Sequence, residues 1–217
     1  QQGETPFEGT NGLTVELQDV TYTVPGRDKK ILNGISFTIT PQCTILLKGT
    51  SGSGRSTLLR LIAGIHESNE GKIYVNNVAL QGIYLNEYRS LMGQSLPEEY
   101  PFEGTILENI TFDNKGIPME DVYWVLEKTG LTQFVKEQPH GLQTMLYPEG
   151  KKIPHTISKK IVLARSVVHR PKLLVLKDPL DQFEEKETEK IMDFLTDSSN
   201  GWALVVVSEN PKWVRRC

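Results

Sequence analysis

A glycine-rich turn at residues 49–57 constrains the fold of this chain more than any other segment. It reads Gly-Thr-Ser-Gly-Ser-Gly-Arg-Ser-Thr and matches the phosphate-loop pattern G-x-x-x-x-G-K-S/T except at Arg55, where the pattern has lysine. Strand-like residues 44–48 precede the turn, and leucine and isoleucine recur at helical spacing in residues 56–66. This order of strand, glycine turn and helix predicts an α/β core whose backbone N–H groups can surround a phosphate.

The turn supplies most of the predicted phosphate-binding residues. They are Gly49, Thr50, Ser51, Gly52, Ser53, Gly54, Arg55, Ser56 and Thr57. The Ser56 hydroxyl also has the position of an Mg²⁺ ligand in this pattern. Arg55 keeps a positive charge, but its planar guanidinium is wider than an ammonium, so it either holds phosphate from a displaced position or folds over the turn and blocks it. We expect weakened rather than abolished binding, and the competing interpretation is a glycine-rich turn that binds no ligand.

The remaining patterns alternate between strand and helix. Strands are predicted at residues 13–17, 20–24, 35–39, 44–48, 72–75, 173–176 and 203–208. Helices are predicted at residues 56–66, 119–129, 131–137, 158–169 and 184–196. The first two strand patterns alternate in opposite phases, which predicts a bulge or bend at Gln18 and Asp19. Strands that alternate with helices indicate a largely parallel sheet, with ligands at the carboxyl ends of its strands.

Residues 85–152 differ from the rest because they contain helical stretches and turn residues but no convincing strand pattern. We interpret them as a helical subdomain inserted into an α/β core formed by residues 13–84 and 153–217, with a flexible leader at residues 1–12. The chain begins without methionine and ends just after a predicted strand, so we interpret it as a piece of a longer protein.

The composition excludes several classes of protein. A net charge of −3 gives no indication of general nucleic-acid binding. The longest apolar run, Ala203–Val207, is far shorter than the roughly 18 residues that a membrane-spanning helix needs. The two cysteines, Cys43 and Cys217, do not indicate a disulfide framework and fit a reducing compartment.

Several further motifs occur in a characteristic order. Residues 102–110 read F-E-G-T-I-L-E-N-I, residues 161–166 read I-V-L-A-R-S, and residues 172–179 read K-L-L-V-L-K-D-P. They are similar to the F-x-G-T-I-x-E-N-I stretch, the I-A-L-A-R-A helix and the Walker B segment of ABC exporters. Residues 20–26 and 31–37 are similar to the opening strands of the same proteins. The chain therefore resembles the nucleotide-binding domain of an ABC exporter from about residue 13 to residue 211.

This resemblance implies a P-loop NTPase (ABC ATPase) core with a mainly parallel sheet, an N-terminal antiparallel β part and an inserted helical subdomain. It implies ATP and Mg²⁺ as ligands, a second nucleotide-binding domain as a homo- or heterodimer partner, and a transmembrane domain at the cytoplasmic face of a membrane. Gln94 would sense the γ-phosphate and bind Mg²⁺, and residues 100–102 would face the transmembrane domain. About three additional residues lie between Gln94 and Phe102.

Two binding motifs depart from the family pattern. The aromatic residue that stacks on adenine corresponds to Val24, and Tyr22 lies one strand alternation away, so both are candidate nucleotide contacts. The signature L-S-G-G-Q corresponds to residues 153–157, which read I-P-H-T-I and lack its serine and glycines. In the family this motif contacts the γ-phosphate held by the opposite subunit, so most of those donors are lost.

The candidate catalytic residues are Asp178, Glu209 and Gln94. Lys177 has the position of the Walker B aspartate, where a cation either repels Mg²⁺ or replaces its charge by pairing with phosphate directly. Asp178 has the position of the glutamate that polarises the attacking water, and its side chain is one methylene shorter. Glu209 has the position of the switch histidine and would repel a γ-phosphate.

Two functions follow from these observations. The first is an ABC exporter nucleotide-binding domain that binds ATP and couples to a transmembrane domain, with weak or absent hydrolysis. The alternative is a pseudo-ATPase, a structural or regulatory module of a transporter that no longer binds nucleotide productively. An unrelated P-loop enzyme such as a nucleotide kinase is disfavoured by the motifs at residues 102–110 and 161–166.

Overall fold

A computed structural model describes residues 3–7, 12–50 and 52–217 of the chain. Its strands are β1 (Val15–Thr23), β2 (Lys30–Ile39), β3 (Thr44–Leu47), β4 (Glu70–Val75), β5 (Val78–Ala79), β6 (Met92–Ser95), β7 (Gly104–Thr105), β8 (Met145–Leu146), β9 (Leu173–Lys177) and β10 (Ala203–Val207). Its α-helices are α1 (Arg55–Ile62), α2 (Leu85–Ser90), α3 (Ile106–Thr111), α4 (Met119–Thr129), α5 (Thr132–Glu137), α6 (His155–Val167) and α7 (Glu185–Leu195). The predicted leader, residues 1–12, lies largely outside the described residues, as does Ser51.

An antiparallel sheet with the strand order β2-β1-β4-β5 contains the predicted bulge. The register of β1 against β2 shifts between Leu17 and Val20, and Asp19 has a φ of 48°. Gly71 of β4 has a φ of 76°, and a Cβ there would lie 2.2 Å from the carbonyl oxygen of Asp19, so only glycine allows this approach. The two predicted strand patterns are therefore one bent strand, β1.

A parallel sheet with the strand order β3-β10-β9-β6 forms the centre of the molecule. Every residue of β10 and the first four residues of β9 are buried, which explains their unbroken apolar runs. The carboxyl ends of parallel strands meet at one edge of a sheet. The glycine turn after β3, Asp178 after β9 and Glu209 after β10 are therefore brought to the same edge.

Apolar cores cover both faces of the parallel sheet. Leu174 and Leu176 of β9 belong to the core that includes α3, α4, α6 and α7. Leu173 and Val175 belong to the core that includes α1, β1 and β2. This alternation follows from the two-residue period of a strand. Each fully buried aliphatic side chain contributes roughly 1.5–3 kcal/mol relative to exposure, so both cores support the residues at the carboxyl edge.

Strand β6 corrects the prediction that residues 85–152 lack strands. It pairs in parallel with β9 as an edge strand of the central sheet, and the short strands β7 and β8 pair with each other. Its sequence, Met-Gly-Gln-Ser, has no apolar alternation to reveal it. Gly93 is required there because a Cβ would lie 1.9 Å from the carbonyl oxygen of Ser166 in α6. The division into a core and an inserted subdomain stays a prediction.

The helices lie close to their predicted positions. Helix α4 has the predicted bounds, whereas α1 ends at Ile62, earlier than predicted. Gly64, with a φ of 71°, follows this helix and cannot continue it. Helix α6 begins at His155, three residues before the predicted start at Ser158.

Candidate functional site

The glycine turn joins the end of β3 to the start of α1. Gly54 caps this helix with a φ of 86°, and Gly52 has a φ of 81°. A Cβ at Gly54 would lie 2.7 Å from Cγ2 of Ile31, so the backbone conformation and the neighbouring side chain both require glycine. Glycine at these positions leaves the N–H groups at the helix N-terminus unobstructed, and those groups carry a partial positive charge.

A cavity of about 200 Å³ opens at this N-terminus. It is lined by Ile31, Gly52, Ser53, Gly54, Arg55, Ser56, Thr57 and Lys177. Six of the nine predicted phosphate-loop residues therefore share one cavity with Lys177. Gly49 and Thr50 are outside this lining, and Ser51 is outside the described residues. No acidic residue lies in the first turn of α1, so the cavity suits an anion.

Lys177 directly contacts the phosphate loop. It is the last residue of β9 and pairs in register with Val207 of β10, so its backbone is held by the central sheet. Its Nζ lies 2.5 Å from Oγ of Ser56 and donates a hydrogen bond to it. The hydroxyl predicted to bind Mg²⁺ is therefore bound to an ammonium group, and the cavity receives a second cation beside Arg55.

Arg55 bends towards the start of the turn. Its Nη2 lies 3.6 Å from Oε1 of Glu209, and its side chain is 14% exposed. Its Cδ lies 3.5 Å from the position that a Cβ on Gly49 would occupy. Among the described residues Nη1 has no hydrogen-bond partner although it is buried, so this guanidinium has a donor available for an anion.

Asp178 lies beside the phosphate-loop cavity rather than in its lining. Its backbone has a φ of 44°, and its N–H donates a 2.9 Å hydrogen bond to the carbonyl oxygen of Val207. Nζ of Lys159 donates a 3.0 Å hydrogen bond to the Asp178 carbonyl oxygen. Burial and the charge of Asp181 raise the pKa of the Asp178 carboxyl, while Lys177, Lys159 and Arg55 oppose this rise. The Asp178 carboxyl is therefore influenced by three cations, Lys177, Lys159 and Arg55.

The residues fit a phosphate group better than they fit a divalent metal. The cavity offers a helix N-terminus, Arg55 and Lys177 to a phosphate. Within residues 3–7, 12–50 and 52–217, no group of three or more His, Cys, Asp and Glu side chains is arranged to hold a metal ion. Ser56, the predicted metal ligand of the loop, instead accepts its hydrogen bond from Lys177. A phosphate group therefore fits this site, and Mg²⁺ does not fit beside Ser56 in this arrangement.

Gln94 lines a second and larger cleft, of about 870 Å³, rather than the phosphate-loop cavity. Its side chain lies near the carboxyl group of Glu99, in the lengthened connection after β6. Oε1 of Glu99 is buried and has no hydrogen-bond partner among the described residues. Burial raises the pKa of Glu99 to about 7, although the charge of Arg165 and the polar side chain of Gln94 oppose this rise. The roles predicted for Gln94 at the γ-phosphate and at Mg²⁺ stay predictions.

Arg165 of α6 organises the wall of this second cleft. Its Nε donates a 2.9 Å hydrogen bond to the backbone carbonyl of Asn109, and Nη2 donates a 3.1 Å hydrogen bond to Oδ1 of the same residue. Nη2 also contacts the carbonyl oxygen of Tyr100 at 3.3 Å. The guanidinium carbon lies 5.4 Å and 4.6 Å from the ring centroids of Phe102 and Phe112. The sequence analysis did not identify Glu99 or Arg165 as site residues. The additional residues between Gln94 and Phe102 were the one signal that pointed to the region of Glu99.

The two candidate adenine contacts lie outside the phosphate-loop cavity. The ring of Tyr22 stacks on His66, with 5.5 Å between the centroids and 20° between the planes. Val24 is half-buried just after β1. Base stacking by either residue stays a prediction.

The segment at the signature position forms the start of α6. Pro154 caps this helix without a side-chain hydrogen bond, and its first turn contains no acidic residue. Pro154 and His155 are exposed. The family's serine and glycines are absent from residues 153–157, so the donors that remain here are backbone N–H groups of the helix N-terminus and the side chains of His155 and Thr156.

Comparison with known proteins places these motifs in a family. The family profile described as ABC transporter matches residues 32–181. An export ATP-binding/permease protein of Rickettsia bellii is 29% identical over 199 residues, which cover 91% of this chain and 34% of that protein. ABC transporter B family member 21 of Arabidopsis thaliana is 28% identical over 184 residues, which cover 84% of this chain and 14% of that protein.

Among solved structures, a bacterial Atm1-family ABC exporter with ATP bound matches with a TM-score of 0.87 and 20% identity. The match covers 94% of this chain and 36% of that chain, and it shows the fold. The chain thus spans between 14% and 34% of the length of the two curated relatives. None of the helices in the described part of the chain has the length and apolar character required to cross a membrane.

Proposed function

The chain belongs to the ABC transporter family, and on this premise we propose that it is the nucleotide-binding domain of an exporter, which binds ATP with little or no hydrolysis. One observation carries the proposal: Lys177 contacts Ser56 inside the phosphate-loop cavity. A cation at this place keeps the cavity attractive to phosphate, and it also occupies the position from which a carboxylate would support Mg²⁺.

ATP binding is supported by the geometry of the loop. Gly52 and Gly54 keep the positive φ values that the turn needs, and Arg55 and Lys177 bring two positive charges to the cavity. Each charge-assisted hydrogen bond to a phosphate is roughly twice as strong as a neutral one. These residues would therefore carry out the phosphate-binding function of the loop.

The expectation of weak hydrolysis rests on the groups that would activate water. Asp178 has the position of the general base, but its side chain is one methylene short and lies outside the cavity lining. Glu209 contacts Arg55 and adds a negative charge where the family has a histidine donor. A general base must reach the attacking water within hydrogen-bond distance, so a displacement of about 1 Å can cost roughly a hundredfold in rate.

The proposed partners are a transmembrane domain and a second nucleotide-binding domain, at the cytoplasmic face of a membrane. The cleft lined by Tyr100, Phe102 and Phe112 supports the first partner because Tyr100 and Phe112 are exposed there. Exposed aromatic side chains beside a cleft are typical of protein contact sites. Replacing Phe112 with glutamate should weaken attachment to the transmembrane domain and leave ATP binding to the isolated chain unchanged.

A second candidate is the pseudo-ATPase that no longer binds nucleotide productively. It is favoured by the closure of the loop on itself, since Arg55 contacts Glu209 and bends towards Gly49. In this alternative the ion pair with Glu209 keeps Arg55 from phosphate, and the domain acts by its shape alone.

Calorimetric titration with ATP, combined with phosphate release, tests the proposal. We expect saturable heat from the 217-residue chain and phosphate release far below the rate of an intact ABC ATPase. Arg55→Ala should weaken binding by roughly tenfold, because it removes one charged contact to phosphate. Arg60→Ala is the matched control, since Arg60 lies on the same helix but contacts Glu98 outside the cavity. Absence of heat favours the pseudo-ATPase, and rapid release that Asp178→Asn removes contradicts the account.

A further inference from the structure

We infer that this site takes a nucleoside triphosphate free of divalent metal, with the ammonium of Lys177 in the place that Mg²⁺ would occupy. The inference rests on the proposed function, because it specifies the chemical form of the nucleotide that the phosphate loop binds. It depends on three properties of Lys177: its contact with Ser56, its fixed backbone and its remaining hydrogen-bond donors.

The contact with Ser56 excludes a metal from the position that the loop provides. Nζ of Lys177 lies 2.5 Å from Oγ of Ser56. A Mg²⁺ ion bound to the same oxygen would stand at about 2.1 Å from it and therefore within a few ångströms of the ammonium. Cations at that separation in a half-buried cavity repel strongly, and Mg²⁺ also requires a nearly complete octahedron of oxygen ligands.

The position of Lys177 is fixed by the sheet rather than by a mobile loop. Its backbone pairs with Val207 in the parallel register of β9 and β10, both of which have buried side chains up to this point. The sheet fixes the backbone, and the hydrogen bond to Ser56 places the ammonium beside the helix N-terminus. A group held in its bound position loses less conformational entropy when a ligand binds, which favours affinity.

The donors of Lys177 suit a phosphate in the absence of metal. An ammonium has three N–H donors, and one of them is used by Ser56. Two donors remain for phosphate oxygens, and Arg55 adds a buried Nη1 without a partner in the described part of the chain. The two side chains together carry two positive charges, which equals the charge that one Mg²⁺ would bring to the triphosphate.

The magnesium complex of ATP is disfavoured because its metal ion would be repelled by the cations of this site. Mg²⁺ bound to ATP has already neutralised part of the phosphate charge, and it would bring its own charge against Lys177 and Arg55. Asp178 and Glu209 are acidic residues at this edge of the sheet, but Asp178 lies outside the cavity lining and Glu209 contacts Arg55. We therefore expect metal-free ATP to bind at least tenfold more tightly than its magnesium complex.

A titration of the unaltered chain with ATP at increasing Mg²⁺ concentrations tests the inference without any substitution. In EDTA the chain should bind ATP, and the apparent Kd for total ATP should then rise in proportion to free Mg²⁺ once the metal has captured most of the nucleotide. A Kd that stays constant or falls as Mg²⁺ is added would overturn the inference while leaving the proposed function intact. Absence of binding in every condition would overturn both.

Two substitutions locate the effect at Lys177. Lys177→Met keeps the length of the side chain without its charge and should weaken binding in EDTA by at least tenfold. Lys177→Asp should reverse the preference, so that ATP binds better with Mg²⁺ than with EDTA. Lys172→Met is the matched control, because Lys172 precedes β9 and lies outside the cavity lining. Equal binding in EDTA by the unaltered chain and a folded Lys177→Met variant, with the fold verified by circular dichroism, would contradict the assignment.

Discussion

Arg55 and Glu209 form an ion pair at the mouth of the phosphate loop, with 3.6 Å between Nη2 and Oε1. In the predicted alignment with the family, Arg55 has the position of the phosphate-loop lysine and Glu209 has the position of the switch histidine. The pair joins the turn after β3 to the end of β10. The carboxylate of Glu209 therefore compensates part of the charge that Arg55 brings to the loop.

Replacement of Glu209 by glutamine should strengthen ATP binding. The substitution releases Arg55 and removes a negative charge that a phosphate would meet. Since the Glu209 carboxylate is 73% exposed, its pair with Arg55 contributes at most about 1 kcal/mol, so the expected gain is roughly fivefold in affinity. Calorimetric titration of the variant measures it. Glu185→Gln is the control, because Glu185 pairs with Lys212 instead. Unchanged affinity for ATP in the Glu209 variant would show that the ion pair with Arg55 does not oppose ATP binding.

Deprotonation of Glu99 should make the folded state less stable as the pH rises. The pKa of this carboxyl is about 7 in the fold and near 4.5 when unfolded, so the folded state binds more protons between these values. The free energy of unfolding should therefore fall between about pH 4.5 and pH 7, by up to about 3 kcal/mol, and level off above.

Denaturant unfolding of the chain and its Glu99→Gln variant, from pH 5 to pH 8, measures this slope. The amide keeps the shape of the side chain without a charge, so the variant should lack that part of the slope and be the more stable protein at pH 8. The difference between the two proteins isolates Glu99 from His169, whose pKa is lowered by burial. Parallel curves for the two proteins would show that burial of Glu99 has no such effect.

Replacement of Arg165 by alanine should destabilise the fold strongly. The side chain is buried, and it holds Asn109 of α3 and the carbonyl oxygen of Tyr100 through its hydrogen bonds. Removing it leaves buried acceptors without donors, which costs about 1–3 kcal/mol, in addition to lost contact with Phe102 and Phe112. Thermal or denaturant unfolding measures this loss. Arg89→Ala, which removes one exposed hydrogen bond to Gly64, should cost under about 1 kcal/mol.

The ion pair between Lys160 and Glu187 should respond asymmetrically to substitution. The Lys160 side chain is 8% exposed and that of Glu187 is 30% exposed. Glu187→Gln leaves a buried ammonium without its counter-charge and should cost about 2–3 kcal/mol, whereas Lys160→Met leaves a carboxylate that can reach water and should cost less than about 1 kcal/mol. Denaturant unfolding of both variants tests the order, and equal losses would contradict it.

Local chemistry accounts for the parts of the fold that the sequence predicts well. The phase change near Asp19 predicted the bulge in β1, and the apolar spacing of α4 predicted both of its ends. These features depend on neighbouring residues alone. Strand β6 was not predicted because Gly93 and Gln94 interrupt any alternation of apolar and polar residues. Its position in the sheet depends on pairing with β9, which is distant in the sequence.

The candidate site was only partly predictable for a similar reason. The residues of the phosphate loop are contiguous, so their pattern was visible in the sequence. The contact between Lys177 and Ser56 joins residues that are 121 positions apart, and it depends on the order of strands in the parallel sheet. The raised pKa of Glu99 arises from burial, which the sequence of a connection does not reveal.

We expect the phosphate loop to bind ATP and to leave it intact. The most direct test is to incubate the chain with ATP labelled at the α-phosphate, separate bound from free nucleotide by gel filtration, and identify the bound nucleotide by chromatography after several hours. The account predicts that labelled ATP elutes with the protein and remains ATP. Recovery of ADP with the protein, or elution of the protein without label, would contradict it.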